Sequence, residues 1–276
     1  MTRIGKVIGQ SFALGVCALA LIASSAACSK QPTKVNWKVV WQDEFNGPAG
    51  QSPNPSNWTY DVGTDWGNSQ LEYDTARPEN VSLDGAGNLA ITARQEDYLG
   101  QSYTSGRINT RGRFEQAGGR FEARMRMPRG QGMWPAFWLL GSNFATVPWP
   151  GCGELDILEY RGQEPSTIQG SAHGPGYSGG NAITQRYTVP GASLDSSFHV
   201  YALEWSSSRI TWAVDDHIYT TLVPGNLSGG KEWVFNHPFF VILNLAVGGA
   251  FVGPPNAGTT FPQQLLVDYV RVYRRD

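Results

Sequence analysis

Apolar residues recur along this chain in short runs with a period of two, and no long segment shows the period of an amphipathic helix. From residue 120 to residue 127 apolar side chains alternate with charged ones, as expected of a strand with one face buried. Turn formers separate such runs, since the chain has 33 glycines and 17 prolines. The pattern predicts an all-β fold built from two packed sheets.

The runs predict strands at residues 89–93, 119–127, 198–205, 210–214 and 239–247. Asp215-Asp216 reads as the turn of a hairpin. No repeat or low-complexity linker interrupts the chain after about residue 36, so residues 37–276 are predicted to form one domain. With 41% apolar and 16% charged residues and a net charge of −2, the composition excludes a disordered or nucleic-acid-binding protein.

One predicted strand, residues 154–159, carries three carboxylates in an otherwise apolar sequence. Regular alternation places Glu154 and Asp156 on one face and puts Glu159 on the other. One extra residue at Ile157-Leu158, a β-bulge, would return Glu159 to the face of its two partners. We therefore predict a bulged strand with three acids on one face and apolar side chains on the other.

Carboxylates packed together resist simultaneous ionisation, so the pKa of at least one is expected to rise. Along the bulged strand the two glutamates are separated by roughly 13 Å between Cα atoms at ~3.3 Å per step. Side chains leaning toward each other can close this to the ~5 to 5.5 Å of a retaining glycosidase, whereas an inverting pair needs ~6.5 to 9.5 Å. The spacing favours retention.

Aromatic and charged motifs surround this strand in a recognisable order. The motifs occupy residues 41–47, 66–68, 105–107, 134–138, 154–159 and 261–264, the last leading into 267–273. With these motifs the chain resembles glycoside hydrolase family 16, in its laminarinase branch of endo-β-1,3-glucanases. The resemblance implies a concanavalin-like β-jelly-roll sandwich of two antiparallel sheets with an open concave substrate cleft.

The same resemblance implies a double-displacement mechanism with Glu154 as nucleophile and Glu159 as acid/base. Asp156 would hydrogen-bond to Glu154 or share a proton with it. The implied substrate-binding residues are Trp134, Trp138, Trp149, Asn68, Arg107 and His173. The structural alternatives are core packing for the tryptophans, loop capping or acid pairing for the asparagine and arginine, and a structural role for the histidine. Trp37, Trp41, Trp205 and Trp212 are expected mainly in the core, and Cys152 as a buried small residue.

No cofactor is expected for catalysis. The resemblance implies a structural Ca²⁺ far from the cleft, with Glu44, Gly87 and Asp268 supplying the oxygen ligands that this hard cation prefers. An ordinary loop pair at Asp43-Glu44 is the alternative. The other histidines show no metal-ligand spacing, so no zinc site is predicted.

The N-terminus has the build of a bacterial secretory signal: Arg3 and Lys6 precede an apolar run at residues 12–23 and small residues up to Ala27. Signal peptidase would cut after Ala27. Alternatively, Cys28 would be the lipidated first residue of a lipoprotein, with residues 28–36 as a polar tether and the membrane as a partner. We expect a monomer that is secreted or held in the cell envelope, whether periplasmic, extracellular or an outer-membrane lipoprotein.

Three functions remain open at this point. The leading one is endo-hydrolysis of β-1,3-glucan such as laminarin. A second keeps the site and changes the polymer to mixed-linkage β-1,3-1,4-glucan or a β-galactan, and a third is a non-catalytic glucan-binding lipoprotein. Residues 248–253 depart from the Gly-Gly-x-Trp-Pro-Gly of relatives by carrying Phe251 and Val252, which predicts an altered contact at the cleft edge.

Overall fold

A computed structural model describes residues 35–276 of the chain. The predicted signal at 1–27, Cys28 and the tether up to residue 34 lie outside the described residues. Within the described part, no helix is long and apolar enough to cross a membrane.

The described residues are almost entirely strand, turn and loop. In chain order the strands are β1 (Trp37–Asp43), β2 (Thr59–Tyr60), β3 (Glu72–Asp74), β4 (Val81–Leu83), β5 (Leu89–Tyr98), β6 (Gln101–Ser105), β7 (Arg107–Asn109), β8 (Gly119–Arg126), β9 (Met133–Gly141), β10 (Glu154–Tyr160), β11 (Thr167–His173), β12 (Ile183–Thr188), β13 (His199–Ser206), β14 (Arg209–Val214), β15 (His217–Leu222), β16 (Phe239–Val247) and β17 (Gln263–Arg275). Single 3₁₀ turns occur at Gly179–Asn181 and Pro224–Asn226.

The strands form two sheets. The seven-stranded sheet has the order β12-β11-β10-β9-β16-β7-β2. The ten-stranded sheet has the order β15-β14-β13-β8-β17-β5-β6-β3, with β1 added to β17 and β4 added to β5. All pairings are antiparallel except that of β3 with β6. The predicted all-β sandwich of two antiparallel sheets is confirmed.

The five predicted strands are all present, and β5 extends five residues beyond the predicted end at residue 93. The predicted hairpin turn joins β14 to β15, where Asp215 and Asp216 have φ angles of 48° and 63°. Aspartate tolerates this left-handed region, and positive φ at both central residues suits the twist of a tight hairpin.

The core lies between the sheets and takes every second side chain of the central strands. β16 is buried along its whole length, as the continuous apolar run predicts. Trp205 and Trp212 are in the core as predicted, with 4% and 2% of their surface exposed. Trp37 and Trp41 are both half-buried, but Trp41 packs against the core and Trp37 does not, so the prediction of a core position is wrong for Trp37.

Candidate active site

The predicted bulge is present in the middle of β10. On the β9 side Asp156 pairs with Trp138 but Leu158 pairs with Phe137, so one residue of β10 has no counterpart. The pairing with β11 shifts at the same place. Ile157 and Leu158 are both buried, at 1% and 0% exposure, and both pack in the core. Glu159 therefore faces the same side as the other two acids of the strand.

The backbone at the bulge is held from beneath by the second sheet. Trp212 of β14 donates its indole N–H to the carbonyl oxygen of Asp156 at 2.8 Å. Gly170 of β11 makes room for this tryptophan, because a Cβ there would lie 2.6 Å from the indole ring. The core thus fixes the one irregular point of the strand that carries the acids.

The outer face of the seven-stranded sheet forms an open cleft of about 850 Å³. The structure brings all nine predicted catalytic and substrate-binding residues to this cleft: Asn68, Arg107, Trp134, Trp138, Trp149, Glu154, Asp156, Glu159 and His173. Residues that are distant in sequence converge because β7, β9, β10, β11 and β16 are neighbours in the sheet.

Glu154 lies at the start of β10 and accepts a hydrogen bond from the indole N–H of Trp149 at 3.0 Å. His173, its cross-strand partner on β11, places Nε2 3.5 Å from Oε1 of Glu154. Burial, and then the nearby charge of Asp156, raise the pKa of Glu154 to about 8. This glutamate therefore has a neutral-range pKa and a donor in place for its ionised form.

Glu159 lies at the other end of the bulge and has three neutral donors. The indole N–H of Trp134 is 3.2 Å from Oε1, and Gln169 and Ser171 each lie 3.3 Å from Oε2. Burial, followed by the charge of Asp156, raises the pKa of Glu159 to about 8. A carboxyl group with this pKa retains its proton near neutral pH and can donate it to a substrate.

Asp156 lies between the two glutamates and is 4% exposed. Burial raises its pKa to about 8. Its hydrogen-bond partner is Nε2 of His173 at 2.9 Å. His173 Nε2 also lies 3.5 Å from Glu154, so the imidazole contacts both carboxylates, and a hydrogen bond or shared proton between Asp156 and Glu154 stays a prediction.

Arg107 lines the cleft, and part of its guanidinium group is engaged by neighbouring side chains. Its Cζ lies 5.0 Å from the ring centre of Trp66 and 4.9 Å from that of Trp138. Its Nε donates to Asp61 at 2.9 Å. Arg107 is therefore held by two tryptophan rings of the cleft and by an acid at Nε, and binding of substrate hydroxyls by its other nitrogens stays a prediction.

The predicted tryptophans differ in how much of the ring meets solvent. Trp149 is 47% exposed, Trp138 is half-buried and Trp134 is 8% exposed. Asn68, also at the cleft, has a φ of 55°, and its backbone carbonyl oxygen accepts a hydrogen bond from the backbone N–H of Ala250. The exposed ring of Trp149 offers a flat apolar face of the kind that stacks on a pyranose.

Several cleft residues were not predicted individually. They are Trp66, Arg161, Gln169, Ser171, Thr184 and Asn244. Asn244 accepts the indole N–H of Trp138 at 2.9 Å, so it orients a predicted binding residue. Gln169 is the cross-strand partner of Glu159, and only the register of β11 against β10 reveals this contact.

A second pair of acids is buried beside the cleft wall. Glu72 and Asp74 on β3 are each 1% exposed, and Glu72 accepts the backbone N–H of Val247 at 2.8 Å. Burial raises the pKa of Glu72 to about 7 and that of Asp74 well above its ordinary range. The charge of Arg107 opposes both shifts.

The predicted calcium ligands lie at the ten-stranded sheet and not among the cleft residues: Glu44 directly follows β1, Gly87 is in the turn between β4 and β5, and Asp268 is in β17. β17 pairs with β5 up to Val267 and with β1 from Val270 onward. Glu44, Gly87 and Asp268 lie near the point where the pairing of β17 passes from β5 to β1. Asp268 is also at a register shift between β17 and β8. The carboxylates, however, are paired with arginines: Glu44 with Arg271 and Asp268 with Arg124.

Comparison with known proteins gives a consistent result. The model of the family described as glycosyl hydrolases family 16 matches residues 62–270. A beta-glucanase of Rhodothermus marinus is 43% identical over 269 residues, which cover 92% of this chain and 91% of that protein. The X-ray structure of an endo-beta-1,3-glucanase from Pyrococcus furiosus is 43% identical, with a TM-score of 0.82 and coverage of 88% of this chain and 96% of that one.

A more distant solved structure has bound sugar. It is a mutant of SCLam, a non-specific endo-beta-1,3(4)-glucanase, presenting 1,3-beta-D-cellobiosyl-glucose at its active site. It is 36% identical, has a TM-score of 0.79, and the match covers 89% of this chain and 98% of that one.

Proposed function

The chain belongs to glycosyl hydrolase family 16, and on that premise we propose that it is an endo-acting enzyme that cleaves β-1,3-glucan of the laminarin type. The resemblance noted in the sequence is thereby confirmed. The observation that carries the proposal is the bulge of β10, which brings Glu154, Asp156 and Glu159 to one face of an open cleft. A cleft open at the surface suits attack within a long polymer.

The geometry supports a double displacement. In the reactive form of the coupled acids Glu159 carries the proton and Glu154 is ionised. Glu159 donates its proton to the glycosidic oxygen while a carboxylate oxygen of Glu154 attacks the anomeric carbon. The aglycone leaves and a glycosyl ester of Glu154 remains. Glu159, now ionised, takes a proton from water, the water oxygen attacks the anomeric carbon, and Glu154 is released.

Asp156 supports this division of roles by its charge. Its carboxylate raises the pKa of both glutamates, so the first proton lost from the group leaves the other carboxyls harder to ionise. Trp149 donates to Glu154 and favours its ionised form. The three acids thus act as a coupled unit in which one carboxylate attacks while another carboxyl group retains its proton.

A substrate panel tests the proposal. Release of reducing sugar is measured on laminarin, lichenan and agarose, side by side, for the wild-type protein and for Glu154→Gln and Glu159→Gln. We expect rapid release of oligosaccharides of several lengths from laminarin and a loss of at least about 1000-fold in both variants. Gel retardation by laminarin without release of sugar from wild-type protein would instead support the non-catalytic glucan-binding alternative.

Mixed-linkage β-1,3-1,4-glucan is the second candidate substrate. The observation that favours it is the match along most of the chain to SCLam, which has a mixed-linkage trisaccharide at its active site. Comparable kcat/KM values on lichenan and laminarin would assign the broader specificity.

A structural calcium ion is proposed at the junction of β1, β5 and β17. Because arginines already neutralise the carboxylates of Glu44 and Asp268, the ligands would be backbone carbonyl oxygens at Glu44, Gly87 and Asp268, where strands end or shift register. Thermal unfolding with and without a calcium chelator tests this. A fall in Tm in chelator that is restored by added Ca²⁺ is expected.

Export is proposed from the basic start, the apolar run and the small residues before Cys28, and the exported protein is proposed to be a monomer. Two products are distinguishable. Labelling with a radioactive fatty acid and partitioning into detergent would assign a lipoprotein anchored at Cys28, whereas unlabelled protein that starts after Ala27 would assign free secretion. Light scattering of the purified product measures its mass in solution.

A further inference from the structure

His173 is the only histidine in the described part of the chain whose side chain contacts both Glu154 and Asp156, and its two ring nitrogens have different neighbours. Nε2 faces the carboxylates, at 2.9 Å from Asp156 and 3.5 Å from Glu154. Nδ1 faces away from them and accepts the backbone N–H of Gly179 at 3.2 Å. A nitrogen that accepts a hydrogen bond has no proton of its own.

These contacts define the tautomer. With Nδ1 as acceptor, the proton of a neutral imidazole must be on Nε2, where it is donated to Asp156. The opposite tautomer would put the proton of Nδ1 against the N–H of Gly179. It would also turn the lone pair of Nε2 toward two acids. We propose that the loop after β11 fixes His173 as its Nε2–H tautomer, making Gly179 and His173 positioning residues of the active site.

The loop is built to hold this N–H in place. Gly179 has a φ of 54°, in the left-handed region that favours glycine, and starts the 3₁₀ turn Gly179–Asn181. Two residues earlier, Tyr177 is fully buried and donates its hydroxyl to the carbonyl of Glu232 at 2.7 Å. Gly174 exchanges backbone hydrogen bonds with Tyr177, and a Cβ on Gly174 would lie 2.5 Å from the tyrosine oxygen. Core packing therefore determines where Gly179 points.

The tautomer matters for the location of the proton that catalysis needs. An Nε2 lone pair facing Asp156 would act as a base within the acid cluster and compete for the proton that Glu159 must deliver. An Nε2–H group instead donates to Asp156. It cannot accept a proton, so the proton stays on one of the three carboxyl groups. The same arrangement removes the lone pair that a transition metal would need at Glu154, Asp156 and His173, three groups whose ligating atoms lie within 4.8 Å of one another.

Two amide variants of His173 separate its two contacts, the hydrogen bond donated to Asp156 and the hydrogen bond accepted from Gly179. In His173→Gln the amide nitrogen reaches the place of Nε2 and keeps the donor to Asp156, but the contact with Gly179 is lost. In His173→Asn the amide oxygen takes the place of Nδ1 and keeps the contact with Gly179, but the donor to Asp156 is lost. We expect the asparagine variant to have a kcat lower than the glutamine variant by about 10- to 100-fold, the rate equivalent of one charge-assisted hydrogen bond. Equal kcat values, or a more active asparagine variant, would overturn the inference.

Nuclear magnetic resonance provides a test that does not depend on activity. The protein has four histidines, and a long-range ¹H–¹⁵N spectrum of ¹⁵N-histidine-labelled protein distinguishes protonated from unprotonated ring nitrogens. The His173→Gln variant assigns the signals of His173 by their disappearance. A protonated Nε2 with an unprotonated Nδ1 at pH 7 is expected, while a protonated Nδ1, alone or together with Nε2, would contradict the proposal.

The kinetic part rests on the proposed function, whereas the spectroscopic part does not. A wild-type protein without activity on any glucan but with the expected tautomer would refute the proposed function alone. An active protein with the other tautomer would refute this inference alone.

Discussion

The indole nitrogen of Trp149 lies 3.0 Å from Oε2 of Glu154, although Trp149 is 47% exposed. A residue at the rim of the cleft therefore donates directly to one of its most enclosed acids. The hydrogen bond lowers the pKa of Glu154 against the larger effects of burial and of Asp156. One side chain thus combines a flat surface for sugar with stabilisation of a carboxylate.

Trp149→Phe removes this donor and retains an aromatic ring. The pKa of Glu154 should rise, so the acid limb of the pH profile of kcat/KM should move to higher pH. We expect kcat to fall by about 10-fold, as for the loss of one hydrogen bond to a charged group. Trp37→Phe, in the opposite sheet, serves as the control and should leave both values unchanged. An unshifted acid limb in Trp149→Phe would show that the indole N–H does not act on Glu154.

The assignment of Glu154 and Glu159 predicts two different losses of function. Glu154→Gly should abolish hydrolysis yet couple an α-glycosyl fluoride donor to an acceptor, because the emptied site accepts fluoride as leaving group on the nucleophile's face. Glu159→Ala should retain activity on substrates with activated leaving groups, which depart without protonation. Chromatography of coupled products and release of a chromogenic phenol measure the two outcomes. Normal turnover of laminarin by Glu154→Gly would invalidate the assignment.

Asp156→Asn removes a negative charge while the amide oxygen still accepts the N–H of His173. Because the charge of Asp156 raises the pKa of Glu159, the variant should have a lower pKa at Glu159. The alkaline limb of kcat/KM should then move to lower pH. Glu164→Gln, at an acid that pairs with Arg186 outside the cluster, provides the control. An unshifted alkaline limb would mean that Asp156 is uncharged during turnover.

Glu72→Gln tests the buried pair beside the cleft wall. The pKa of Glu72 is raised from its ordinary value of 4.5 to about 7, so the folded state holds this proton more tightly than the unfolded state. The stabilisation is complete below about pH 4 and is lost as the pH rises through 7. An amide cannot ionise and keeps an acceptor for Val247, so the variant should be more stable than wild type at pH 8, by roughly 3 kcal/mol.

Thermal unfolding from pH 4 to pH 9 measures this difference, which should appear as a Tm gain of roughly 6 to 12 °C at pH 8 and vanish near pH 4. Glu79→Gln, at an exposed glutamate nearby, should track the wild type throughout. A constant gain at every pH would assign the effect to packing rather than to ionisation.

Phe251 occupies the cleft-edge position at which the sequence departs from its relatives. Its ring lies 4.8 Å from that of Trp134, and the guanidinium of Arg161 lies 3.7 Å from its centre. Phe251→Ala should loosen Trp134 and weaken the hydrogen bond to Glu159, lowering kcat by about 10-fold. Phe251→Trp should retain most of the wild-type activity because it keeps an aromatic ring packed on Trp134. Steady-state kinetics on oligosaccharides of increasing length detect both this loss and a change in chain-length dependence.

The bulge could be predicted because three acids on one strand are incompatible with regular alternation unless one residue is absorbed. The contacts of Gln169 and Ser171 with Glu159 could not, since they depend on the register of β11, whose small polar residues give a weak strand signal. Glu72 and Asp74 were missed for a related reason. Their strand is three residues long and pairs in parallel with β6, so no period reveals it.

Arg107 illustrates a different limit. Its position in a motif predicted a place at the cleft, which the structure confirms, but the motif could not indicate that two tryptophan rings and Asp61 contact the guanidinium group. Likewise the tautomer of His173 depends on a backbone N–H six residues further along the chain. Partners of this kind follow from loop geometry, on which a local pattern carries no information.

The bulge of β10 also makes the spacing of the acids a property of the protein interior. Ile157 and Leu158 sit side by side in the core, and Trp212 holds the backbone beside them. On the proposed roles of Glu154 and Glu159, these buried residues set the separation between nucleophile and proton donor, on which the stereochemical course of glycoside hydrolysis depends. Selection or design that aims to change the configuration of the product should therefore target the buried side chains of Ile157, Leu158 and Trp212 beneath the cleft. None of them would be chosen from the cleft surface alone.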